Sequence, residues 1–282
     1  MVELKNGILE VKLTEVGAEI KSVVKNGVEY MWPGKEMWFQ TAPMLFPICS
    51  GLKDDKYFLD GKEYHMGKHG FTRNAPFTLE SADEKSVTYL LCENEETLKV
   101  YPFAFELRIV YTLDGDKIKV EYKVKNKNDK KMYFSIGAHE AYYTPEGIDA
   151  YDVIFSEKES LRSSYFADGT VLNSTFQLTD NTDTYHLTDK IFEEVDSIII
   201  RTLKSRSATL VNRETKRGVK VDFPFASSFL IWHMKGANYI CLEPWAGFPD
   251  VEGTDHDFTK KEGIIPIEIG EEYIGEHTIT FI

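Results

Sequence analysis

Cysteine is scarce in this chain of 282 residues: only Cys49, Cys92 and Cys241, odd in number, widely spaced and with no CxxC pair. That excludes a disulfide framework and a zinc ribbon, and it points to a reducing setting. Long apolar runs are missing as well, since no stretch approaches the ~18 residues that a membrane-spanning helix needs. The start, "MVELKNGILEVKL", is charged from residue 3 onward and lacks the apolar core of a signal peptide, so the expected location is cytoplasmic. Basic runs are absent too. With 33 basic against 46 acidic residues the net charge is −13, which repels a nucleic acid backbone and an anionic membrane surface alike. Neither is an expected partner.

Helical periodicity is also lacking, and only "TDHDFTKKEG" reads as a short helical turn. Alternating apolar runs are plentiful instead, punctuated by Asn6-Gly7, Asn26-Gly27, Asp60-Gly61 and Asp114-Gly115. In "LRIVYTLDGDKIKVEYKVKN", Leu107, Ile109, Tyr111 and Leu113 alternate on one arm and Ile118, Val120, Tyr122 and Val124 on the other. Lys117, Lys119, Glu121, Lys123 and Lys125 then face water. Asn-Gly and Asp-Gly supply the positive φ that tight hairpins require, so these are antiparallel pairs. Hydrophobic residues at 42% and aromatics at 13% are ample for a core. No linker, low-complexity tract or repeat divides the chain. The expectation is an all-β fold: residues 1–282 as one large antiparallel β-sandwich with a concave face.

Seven histidines are present, and an ordinary surface or satisfied core position is the baseline for each. His186, His256 and His277 sit among charged or turn residues and keep that reading. His65 and His69 have the spacing of a helical metal pair, but Gly67 and Gly70 argue against a helix and no neighbouring ligand completes a tetrahedral set. His69, in "KHGFTRN", sits in a glycine-bounded bend. His139, in "SIGAHEAYY", follows Gly137 and Ala138, which leave open space for a ligand; packing among aromatics is the competing reading. Glu140 alternates to the opposite face.

Glu243, in "YICLEPWAGFPD", follows an apolar run. A buried carboxylate costs several kcal/mol unless paired or functional, so it either lines a pocket or forms a buried ion pair beside a core tryptophan. Trp245 beside it suits a sugar, whose C–H groups stack on an indole while the carboxylate takes a hydroxyl proton. Arg73 offers a planar fork for hydroxyls or a counter-charge to Glu243. Trp38, Phe39 and Phe46 are core or pocket wall.

Together, "LFPICSGLKDDKYFLDGKEYHMGKHGFTRN", "SIGAHEAYY" and "YICLEPWAGFPD", in that order, resemble the aldose 1-epimerase (galactose mutarotase-like) family, in its LacX-like branch. The resemblance implies a galactose mutarotase-like supersandwich that binds a hexose on its concave face, acting as a monomer or homodimer. It implies Glu243 as general base at the anomeric hydroxyl, His139 as general acid at the ring oxygen and His69 as a hydrogen-bonding partner, with Arg73 and Trp245 binding the sugar. Ring opening and reclosure need one proton removed and one supplied, and no metal or cofactor. Where the branch carries Gly-Arg after its FPI motif, this chain has Ser50-Gly51-Leu52, with Lys53 as a partial replacement. Asp196 stands where the branch is often acidic, with no role assigned. A non-catalytic carbohydrate-binding sandwich and a hexose phosphate mutarotase remain the alternatives. A glycoside hydrolase ranks last, because only one carboxylate of the pair it needs is motivated. The few cations near the motifs, Arg73, Lys53 and Lys68, favour a neutral sugar.

Overall fold

A computed structural model describes all 282 residues of the chain. Two large antiparallel sheets carry the architecture. One has nine strands, in the spatial order Thr182–His186, Tyr151–Glu159, Ser207–Asn212, Gly218–Asp222, Glu272–Phe281, Lys117–Asn126, Phe105–Asp114, Ser86–Cys92 and Thr78–Ala82. The other has eight: Thr170–Gln177, Arg162–Ala167, Ile198–Ile200, Ser228–Trp232, Tyr239–Ala246, Ile136–Ala138 and Met44–Leu45 in order, with Glu140–Tyr143 also pairing Tyr239–Ala246. A four-stranded sheet of Val2–Lys5, Leu9–Leu13, Ile20–Lys25 and Val28–Glu29 stands beside them. No helix is long and apolar enough to cross a membrane.

The turn chemistry acts as predicted at two sites. Asn26-Gly27 and Asp60-Gly61 all have positive φ between flanking pairs Lys25–Val28 and Leu59–Lys62, the conformation of a two-residue type I′ turn. The longest hairpin shifts by one residue. Asp114 pairs with Lys117, so the turn is Gly115-Asp116, and Gly115 alone takes a positive φ, 59°. At Asn6-Gly7 the loop is longer, and the Asn6 carboxamide oxygen accepts from the N–H groups of Ile8 and Leu9 at 3.0 and 2.9 Å. "TDHDFTKKEG" yields a 3-10 turn, Phe258–Lys260, and the helix Glu95–Val100 is an addition to the reading. Asn94 caps that helix with Thr97 in a reciprocal box, but six residues are too short to display a 3.6-residue period.

Strand alternation decides which side chains reach the concave face. Along Tyr239–Ala246, Ile240, Leu242 and Ala246 join the large interior cluster of 60 buried residues, while Tyr239, Cys241, Glu243 and Trp245 point the other way. Next to it, Phe229 and Ile231 enter the interior, and Leu230 and Trp232 face the concavity. Each buried Leu, Ile or Phe contributes about 1.5–3 kcal/mol, so the interior face pins the register. A one-residue slip would drive Glu243 into the apolar interior and Leu242 into the concavity.

Candidate active site

On the concave face of the eight-stranded sheet, 16 residues enclose about 690 Å³ of empty space, mouth included. That lies within the roughly 300–1,000 Å³ of small-molecule sites. His69, Arg73, His139, Glu243 and Trp245 all line it. They come from three separated segments, which the Leu230–Glu243 and Gly137–Trp245 pairings bring side by side.

His69 is set by backbone geometry. Its φ is 69°, its N–H donates to the Ser50 carbonyl at 2.7 Å, and its Nδ1 accepts from the Ser50 N–H at 3.0 Å. With Nδ1 an acceptor, the proton of the neutral ring sits on Nε2. Burial, then the charge that His139 would carry if protonated and the cations Lys68 and Arg73, push its pKa well below the usual histidine value, so the ring is a neutral donor. Gly70 is required next to it: a Cβ there would lie 2.2 Å from the Phe46 carbonyl oxygen. His65, by contrast, is exposed at the end of Lys62–His65, and its Nε2 lies 3.0 Å from Glu63 Oε1. The histidines at 65 and 69 form no pair.

His139 leads into Glu140–Tyr143 and sits between aromatic rings. Trp38 stacks on it at 5.2 Å and 29°, and Trp232 meets it edge-on at 5.4 Å and 85°. Its Nε2 lies 3.5 Å from Glu243 Oε2, an ion-pair distance longer than a good hydrogen bond. His139 is 8% exposed and Glu243 2%, yet His139 Nδ1 and Glu243 Oε2 have no hydrogen-bond partner. Unpartnered buried polar atoms are uncommon in folded proteins, and here two of them meet in one pocket. Burial, then Lys68, lowers the His139 pKa to about 3, and burial, with Glu140 and Asp196 adding to it, raises that of Glu243 well above a usual carboxyl. Both shifts have burial as their largest cause, and both favour the uncharged forms, imidazole and carboxylic acid.

Trp245 lies deeper than a stacking platform. It is 2% exposed, and its indole N–H donates to the Ala138 carbonyl at 3.0 Å, fixing the peptide just before His139. Gly137 makes room for that ring, since a Cβ there would lie 2.3 Å from Trp245 Cδ1. The accessible aromatic faces belong to half-buried Trp38 and Trp232. Trp232 went unnoticed in sequence; its signal was alternation, because it is out of phase with Phe229 and Ile231. Asp196, left without a place by the sequence, lines the pocket, with the Ser197 hydroxyl donating to its Oδ2 at 2.9 Å. Lys68 also lines it. Lys53 does not; its backbone N–H donates to Asp250 Oδ2 at 2.9 Å. His277, expected on the surface, is fully buried between the sheets.

This antiparallel two-sheet fold is shared with galactose mutarotase-like proteins of known structure. The chain matches the aldose 1-epimerase family model over residues 1–262 and belongs to that family. It is 37% identical over 262 residues to the chromosomal protein LacX of Lactococcus lactis, covering 87% of each chain. Among solved structures, it is similar to a galactose mutarotase related enzyme from Lactobacillus acidophilus, with a TM-score of 0.93 at 33% identity, covering 100% of this chain and 97% of that one. A galactose mutarotase-like protein from Lactobacillus casei gives a TM-score of 0.94 at 27% identity, with 100% of both chains covered.

Proposed function

We propose that this chain is an aldose 1-epimerase that interconverts the α and β anomers of a hexose by acid/base ring opening and reclosure. The observation that carries the reading is the buried His139–Glu243 pair, 3.5 Å apart with an unpartnered polar atom on each residue. A base at the anomeric hydroxyl and an acid at the ring oxygen must act on oxygens bonded to one carbon, and two groups this close can serve both.

In the resting pocket burial favours the uncharged forms of both His139 and Glu243. A bound hexose brings hydroxyl donors that replace lost hydration of the carboxylate, which favours the charged form and returns the proton to His139. Glu243 then removes the anomeric proton, His139 protonates the ring oxygen, and the C1–O5 bond opens to the aldehyde. Rotation about C1–C2 presents the other carbonyl face, and the two groups exchange roles on closure. The Nε2–H of His69 donates a hydrogen bond near the anomeric centre. Arg73 binds hydroxyls, and Trp38 and Trp232 supply the apolar faces on which ring C–H groups stack.

Polarimetry or NMR exchange on glucose, galactose and glucose 6-phosphate tests this, with Glu243→Gln as the control. Anomer interconversion above the spontaneous rate that disappears in the variant is expected, strongest on a neutral hexose. Sugar binding without acceleration on any of the three would replace the enzyme with a carbohydrate-binding protein.

A further inference from the structure

Cys241 has no part in the proposed chemistry, yet it stands two residues before Glu243 on the same face of the same strand. The ligand atoms of His139, Cys241 and Glu243 all lie within 4.8 Å of one another, and all three residues are buried. We propose that these three side chains form a binding site for a thiophilic divalent cation of the zinc class, whose occupancy shuts the sugar pocket.

The geometry is close to what such an ion takes. Zinc–ligand distances of about 2.0–2.3 Å at tetrahedral angles place ligand atoms roughly 3.3–3.6 Å apart. The His139–Glu243 edge is 3.5 Å. The longer edges, at most 4.8 Å, contract by up to about 1.2–1.5 Å, within reach of a χ1 adjustment of the cysteine. Space for this exists, because Cys241 faces the small Ala141 across the strand pair. Glu243 Oε2, buried and without a hydrogen-bond partner, is a ready ligand. A thiolate, a carboxylate and a neutral imidazole cancel the two charges of the ion, which suits a buried site. The thiol and carboxyl protons leave to solvent as the ion binds. Three protein ligands leave the fourth position open towards the pocket, where a water completes the set. The ion would then hold the acid and the base together and exclude the anomeric centre.

Cobalt(II) titration of the intact protein reads the site without any assay of sugar chemistry. Stoichiometric thiolate-to-metal charge transfer in the near ultraviolet, with tetrahedral visible bands that zinc displaces, is the expected result. Cys241→Ser should remove the charge-transfer band and weaken zinc binding by about tenfold or more, beyond the loss typical of an outer-sphere partner. Cys49→Ser and Cys92→Ser should leave both unchanged, and Cys241→Ala guards against an idiosyncrasy of the serine. Absence of the thiolate band in folded protein, or its loss with Cys92→Ser, overturns the proposal. Only the inhibitory half rests on the mutarotase reading: zinc should slow interconversion in the native protein and not in Cys241→Ser, with chelator restoring the rate. If cobalt binds through Cys241 and no sugar is interconverted, the metal site stands and the mutarotase reading falls.

Discussion

Two histidine–glutamate pairs stand back to back in this molecule, and consecutive residues feed them. His139 turns to the concave face and meets Glu243 at 3.5 Å. Glu140 turns to the interior, where its Oε1 lies 3.1 Å from Nε2 of His277 on the facing sheet. The inner pair is sealed: His277 is fully buried, its Nδ1 is 2.7 Å from the Tyr122 hydroxyl, and the two rings stack at 29°. Each pair has a buried polar atom without a hydrogen-bond partner on both residues, but only the outer pair opens on a pocket, where a ligand can satisfy them. Identical residue types thus do opposite things. The inner pair ties two sheets together across the apolar layer, and the outer one waits for a ligand. Residue type does not separate them; the parity of the strand does.

Breaking each pair in turn is the sharpest way to separate the two roles. Glu243→Gln should lower the catalysed rate by about 10²–10⁴-fold, the range of a lost acid/base group, with the fold intact. The same change should raise Tm at neutral pH. The raised pKa of Glu243 means the folded state holds a proton that the unfolded carboxyl releases above about 4.5, so that residue's contribution fades as pH rises, and glutamine removes this loss. Glu140→Leu should do the reverse. It takes away the carboxylate 3.1 Å from His277 Nε2 and leaves that buried imidazole without its ion-pair partner inside the sandwich, a cost of about 1–3 kcal/mol, and the rate should stay within about fivefold of native. Thermal unfolding and polarimetry on both variants decide the matter. A well-folded Glu140→Leu protein as inactive as Glu243→Gln would end the division by face.

Acid should weaken the outer pair in a predictable sense. The His139 pKa is about 3 when folded and 6.5 as its ordinary value, so the unfolded chain binds the extra proton first. Its contribution is complete above pH 6.5 and is lost progressively as pH falls towards about 3. Between pH 6.5 and 4, Tm of the native protein should therefore fall more steeply than that of His139→Asn. Parallel slopes would mean that His139 is not held neutral by burial.

The comparison also marks what was legible before the fold was known. The interior arm of the longest hairpin was read residue by residue, because period-2 alternation there is unbroken and all eight apolar positions are buried. The concave face was harder. Its strands are apolar on both sides, as in Ile198–Ile200 and Ser228–Trp232, so alternation no longer says which side meets solvent and Trp232 passed unnoticed. Glu140 was placed on the face opposite His139 by parity alone. His277 was misjudged because Glu276 and Thr278 flank it; on a strand, flanking polarity belongs to the other face. Asp196 lies in a connection just before Ile198–Ile200, and only tertiary packing brings it to the pocket. Trp245 reads as a stacking platform until its N–H is seen to hold the Ala138 carbonyl.

The walls of the outer pocket offer the smallest effect and a fine test of how it differs from the sealed interior. Trp38 is half-buried, stacks on His139 and on Tyr239, and presents its remaining surface to the pocket. Trp38→Phe keeps an aromatic face but loses the second ring, so it should weaken sugar binding by about 0.5–1.5 kcal/mol, a rise in KM of roughly two- to thirteenfold. The rate constant at saturation should change little, because neither proton-transfer group is altered and ring stacking is made equally in ground and transition states. Were kcat to fall with KM unchanged, the stacked indole would be orienting His139 rather than holding the sugar. The tryptophan wall would then belong to the acid–base pair itself, and the outer pair would be as packed, in its own way, as the inner one.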